Sequence, residues 1–134
     1  MVLEMTRIPT TEGEICLKCD LNVLEKIQEE FGSLVEFERL LKGVSIEYDE
    51  DGNEVRKNVE IDLKTMKKGA YLMAVEAADI KGEHLTLEEF RRSLGMAELS
   101  LYEIAEAVYT EFGKCFVRKN SETTQKEAEE KMNR

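Results

Sequence analysis

Apolar positions along the chain recur at helical spacing in five stretches and alternate with polar ones in two others, so the pattern predicts a mainly helical domain carrying β elements. The first stretch, MTRIPTTEGEICLKC, has a turn-rich middle, PTTEG, between two short β-compatible runs. Ile15 and Leu17 point to one side and Cys16 to the other, as expected of a small hairpin or of one strand after a loop. Asn22, with Glu25 three residues on, predicts a capped helix whose stripe is Val23, Leu24, Ile27 and Phe31, ending at Gly32. Ser33 with Glu36 predicts the next cap, before Leu34, Phe37, Leu40 and Leu41 and a stop at Gly43.

The stretch VSIEYDEDGNEVRKNVEI then switches to a period of two. With Asp51-Gly52 as a two-residue turn, Tyr48 would face Val55 and Val44 would face Val59 in a hairpin with a charged outer side. From Leu63 to about Lys81 the helical period returns. Leu63, Met66, Ala70, Met73 and Ala77 form one stripe, and Tyr71, Leu72, Val75 and Ala78 spread around it. An apolar surface that wide belongs either to the central helix of a bundle or to a helix partly covered by another chain. Thr86 with Glu89, and Ser100 with Glu103, form two further capping boxes. The first precedes Leu87, Phe90 and Leu94; the second precedes Leu101, Ile104, Ala105, Val108, Phe112 and Phe116. The expected fold is therefore mainly α (α+β): a small bundle of about five helices with an N-terminal β segment and a β-hairpin near residues 44–61. A single domain over 1–117 suits the 134-residue length. Residues 118–134, RKNSETTQKEAEEKMNR, carry five basic and four acidic residues with almost nothing to bury, and read as a flexible tail or a solvated helix.

Charge narrows the partners. With 29 acidic against 19 basic residues the formal charge is −10, which repels nucleic-acid phosphates and anionic lipid headgroups. No apolar run approaches the roughly 20 residues needed to span a bilayer, and the N-terminus lacks the basic and apolar regions of a signal peptide. A cytoplasmic protein, with no nucleic-acid or membrane partner, is expected. Three cysteines do not make a disulfide framework, and a reducing compartment keeps them as thiols.

Three stretches are candidate chemical centres. Cys16 and Cys19 have C-x-x-C spacing, but a zinc ion would need both remaining soft donors, Cys115 and His84, and the βαβ context of a thioredoxin-like site is missing. Asp49, Asp51, Asn53 and Glu60 match four EF-hand ligand positions, yet Glu54 stands where the sharp-turn glycine belongs and the flanks are strand-like. His84 has no serine or carboxylate partner at a motif spacing, and nucleotide-binding and hydrolase signatures are absent. The expectation is a non-enzymatic chain with no cofactor and no metal.

The order of elements carries a resemblance. GEICLKCDLNVLEKIQEEFG, SLVEFERLL, YLMAVEAADIKGEHLTLEEFRRSLG and SLYEIAEAVYTEFGKCF together resemble the tail assembly chaperones of long-tailed bacteriophages and their prophages, over roughly residues 6–117. The most telling part is the helix, glycine, L-T-x-E-E, helix succession from Gly82 to Phe90. The acidic hairpin from Val44 to Ile61 has no counterpart in that pattern. The resemblance implies a protein of the host bacterial cytoplasm that binds the long helical tape measure protein, keeps it soluble and helps recruit tail tube protein. It also implies homo-oligomers and, for many members, a longer frameshifted form.

A client of exposed helices needs a complementary apolar surface on a soluble acidic body. The residues expected to supply it are Tyr71, Leu72, Val75 and Ala78 on the long helix, with Tyr102 and Tyr109 on the last. Each is weighed against an ordinary core role, which apolar helix stripes more often have. Two other functions compete: a structural virion component, such as a connector or tail completion protein, and a small metal-binding or redox regulator using Cys16 and Cys19.

Overall fold

The computed structural model describes residues 4–117; the expected tail, 118–134, lies outside the described residues. The chain runs β1 (Thr6–Thr10), β2 (Gly13–Leu17), α1 (Leu21–Phe31), α2 (Leu34–Lys42), β3 (Val44–Tyr48), β4 (Glu54–Asn58), α3 (Leu63–Ile80), α4 (Leu87–Gly95) and α5 (Leu101–Lys114). Five helices with two separate antiparallel strand pairs make this the expected α+β helical fold.

Local chemistry sets most helix starts. The Thr86 and Ser100 hydroxyls each accept from the backbone N–H three residues on, while Glu89 and Glu103 reach back, so both capping boxes form in full. The cap of α1 differs from expectation. Asp20, in extended conformation, accepts from Val23 N at 3.1 Å, so the helix begins before Asn22 and that side chain caps nothing. At α2, Ser33 accepts from Glu36 N, but the Glu36 carboxylate turns forward to the Arg39 guanidinium and leaves the box half made.

The long helix α3 is the central element, packed against β2, α1, α2, α4 and α5. Most of its wide apolar surface faces the bundle interior. Met66, Ala70, Met73 and Ala74 are buried on it and meet Ile15 and Leu17 of β2, Val23 and Ile27 of α1, Phe37 of α2 and Val108 of α5 in one core; Ala77 is buried as well. A row of rings, Phe31, Phe37, Phe112 and Phe116, runs through this core with successive centroids 5.0–5.2 Å apart. Strand β2 is pinned to the helix through Lys18 N, which donates to Met73 O at 3.0 Å. The outer edge of β1 is covered by the α4–α5 linker, where Thr11 N donates to Met96 O and Glu98 N to Pro9 O.

The β3–β4 hairpin projects as an arm between α2 and α3. Its register corrects the sequence expectation by one residue. Tyr48 pairs with Glu54, Glu47 with Val55 and Val44 with Asn58, around the loop Asp49 to Asn53 rather than a two-residue turn. Asp49 explains the longer loop, because its Oδ1 accepts from both Asp51 N and Asn53 N at 3.0 and 2.8 Å. A slip of one residue moves Tyr48 and Val55 to opposite faces of the sheet, so the pairs Tyr48–Val55 and Val44–Val59 do not form. At the arm's base Gly43 has φ 71°, and a Cβ there would meet Val59 O at 2.5 Å, so only glycine fits.

Gly69 is the close-packing point of α3. A Cβ at this position would lie 2.6 Å from Phe37 Cζ, and Phe37 is itself held between the rings of Phe31 and Phe112. Gly69→Ala should therefore destabilise the fold by about 1–2 kcal/mol, overpacking outweighing the ~1 kcal/mol that alanine gains in a helix. Urea unfolding checks this, and an unchanged midpoint would contradict it.

Candidate interaction surface and the cysteines

The six residues expected to bind a client do not share one open surface. Tyr71 is half-buried, its ring 5.4 Å from that of Phe90 on α4. Leu72 and Val75 are half-buried, and Leu72 packs on the core. Ala78 is buried, 8% exposed, and belongs to the helix packing rather than to the surface. Tyr109 is half-buried on the α2 side, where Lys42 Nζ lies 4.6 Å from its ring centroid and its hydroxyl donates to Glu38 Oε1 at 3.5 Å. Only Tyr102, 74% exposed at the start of α5, stands fully open.

Other apolar side chains are more exposed than most of that set. Leu101 joins Tyr102 at one end of α5, and Phe116 and Val117, each more than half exposed, follow its other end. On the arm, Ile46, Tyr48 and Val59 are uncovered. Of these, Phe116, expected on the core stripe, ends the aromatic row and is 58% exposed. Among the described residues, no helix is long and apolar enough to cross a membrane.

A buried carboxylate was missed. Glu111 is 0% exposed on the inner face of α5. Its Oε1 accepts from Thr6 N at 3.1 Å, Thr6 Oγ1 at 2.9 Å and Lys114 Nζ at 3.0 Å, while Oε2 accepts from Cys19 N at 2.9 Å. One side chain thus joins the last helix to the start of β1 and to the entry of α1. The signal was present, because Glu111 falls on the same helical stripe as Ile104 and Val108, where a carboxylate has no place unless it is paired.

The three thiols separate in a way their spacing does not suggest. Cys16, on the half-exposed side of β2, receives a hydrogen bond from Lys81 Nζ at 2.9 Å, which raises the lysine's pKa. The pair sits at the rim of a cleft of about 140 Å³ between β2, α3 and α4, floored by Ala74, Ala77, Ala78 and Phe90. Cys19 is buried in the core, and Cys115, the residue that caps α5 one turn beyond Glu111, packs against that core. Hydrogen bonding to Cys115, burial and the charges of Cys115, Glu111 and Asp20 push the Cys19 thiol up, while the same hydrogen bonding lowers Cys115. Cys16 and Cys19 therefore do not face one another. No cluster of three or more His, Cys, Asp or Glu side chains suited to a metal occurs among the described residues, and His84 is exposed in its loop. Asp49 spends its carboxylate on the loop backbone between two strands.

A second carboxyl contact lies where α3 meets the cap of α1. Glu76 is held above the usual carboxylate range by hydrogen bonding to Asp20, then by burial and by Asp20's charge. Its Oε2 is buried without a partner.

No family model, no curated protein and no solved structure matches this chain.

Glu111→Gln should cost about 2–4 kcal/mol, because an amide nitrogen turned toward Thr6 or Cys19 leaves a buried N–H without an acceptor. Denaturant unfolding measures this, and a loss below ~1 kcal/mol would mean that the carboxylate's four contacts are dispensable. Glu76→Gln should act in the opposite sense. An acid whose folded pKa is raised contributes fully near and below its ordinary value of 4.5, and that contribution is lost as pH climbs through the folded value. An amide donates to Asp20 at every pH, so the variant should melt higher than wild type at pH 7, with the gap closing toward pH 4.5. A pH-independent difference would contradict a raised Glu76 carboxyl.

Proposed function

We propose that this chain is a tail assembly chaperone of a long-tailed phage or prophage, acting in the host cytoplasm through protein contact rather than catalysis. Its clients are the tape measure protein, whose long helix exposes apolar side chains, and the tail tube protein recruited onto it. The resemblance in element order and in the L-T-x-E-E helix start supports this reading. The observation that carries it is the pair of open ends of α5, Leu101 with Tyr102 and Phe116 with Val117, on a body with ten excess negative charges. Tape measure segments dock on such ends by the helix-in-groove mode, apolar residue to apolar residue, while the surrounding acid keeps free chaperone soluble.

Co-expression tests it. The tape measure protein should become more soluble when this chain is present, and mature tails analysed by mass spectrometry should lack the chain. Tyr102→Ala should weaken the effect several-fold at an unchanged melting temperature, since an exposed side chain contributes little to folding. If tape measure solubility does not respond to the wild-type chain, the proposal fails; if the chain persists in mature tails, it is a virion component instead.

A further inference from the structure

The geometry points to a modification site at Cys19 and Cys115: the two thiols react with a small disulfide of the glutathione class and close into an intramolecular disulfide joining the entry of α1 to the end of α5. The C-x-x-C spacing directs attention to the wrong pair, because Cys16 faces Lys81 and the cleft. Placement of the right pair rests on backbone and packing. Glu111 Oε2 holds Cys19 N at 2.9 Å, and Cys115 follows Glu111 by four residues, so it lies over the same point on the helix surface. Both side chains pack in the same core, Cys19 inside it and Cys115 against it. Their exposures also divide the work. Cys115 is half-exposed and meets a solvent-borne reagent, whereas Cys19 is 5% exposed and meets only Cys115.

The exchange balances in two steps. The Cys115 thiolate attacks one sulfur of oxidised glutathione, forms a mixed disulfide and expels a glutathione thiolate. With Cys115 capped, the hydrogen bond and charge that hold the Cys19 proton are gone; Cys19 loses that proton against burial and the charges of Glu111 and Asp20, its thiolate attacks Cys115 Sγ, and the second glutathione leaves as a thiolate that takes up the proton. Two protein thiols are oxidised, and one small disulfide is reduced to two thiols. The hydrogen bond from Cys19 favours the thiolate at Cys115, and Lys18 adds to it; Glu111, Asp20 and burial oppose it, so the first step is slow rather than barred. Once formed, the link spans nearly the whole folded chain, the case in which cross-linking constrains the unfolded state most.

The test uses the full chain, reduced, then incubated natively with oxidised glutathione and digested without reduction. Mass spectrometry should find a Cys19–Cys115 linked peptide with Cys16 still titratable, and the oxidised protein should melt several degrees above the reduced one. Cys16→Ser should close at the same rate as wild type. Cys19→Ser should stop at a stable glutathione adduct on Cys115. Should that variant fail to fold, the wild-type peptide map decides alone. The inference is overturned if wild type keeps all three thiols, if it holds only an adduct, or if Cys16 takes part in the link.

Discussion

Four hydrogen bonds on one buried carboxylate hold the two ends of this fold together. Glu111 satisfies Thr6 at the start of β1, Cys19 at the entry to α1 and Lys114 on its own helix. An ionised group in a core is costly unless its lone pairs are used, and here they are. The apolar residues of the core, Leu17, Val108 and Phe112 among them, could be met by helix faces in more than one relative placement. A carboxylate that must reach two specific backbone N–H groups is less tolerant. It fixes α5 in rotation and along its axis relative to the N-terminal hairpin.

With α5 so fixed, α3 becomes the shared wall of the molecule. Its small residues, Gly69, Ala70, Ala74 and Ala77, let five other elements approach, and its larger ones fill the gaps between them. This explains why the middle of α3 has little left to offer a partner, its exposed apolar side chains being Leu63 and Ile80 at its two ends.

Much of the fold was legible in the sequence because its signals are local. Two full capping boxes, the glycine stops and the helical stripes each involve residues within four positions of one another, and all five helices follow from them. The misreadings have local causes as well: Asp20 outcompeted Asn22 at the α1 cap, and Asp49 drew the arm's loop out to five residues. What escaped was non-local. Neither the pairing of Glu111 with Thr6 and Cys19 nor the meeting of Cys19 with Cys115 is encoded in any spacing, since both arise only when opposite ends of the chain pack. The candidate surface suffered for the same reason. Periodicity shows that Tyr71, Leu72, Val75 and Ala78 are apolar and share a side of α3, but not that β2 and α4 already cover it.

The arm's two feet stand almost together. Val59 N bonds Gly43 O and Asp62 N bonds Leu40 O, so the chain leaves the bundle and re-enters it through one narrow gate. Everything beyond that gate is a detachable module in the architectural sense. Strands could be lengthened, shortened or replaced by a bare turn while α2 and α3 kept their places, which leaves the arm free to diversify at a pace of its own while the helices beneath it stay constrained.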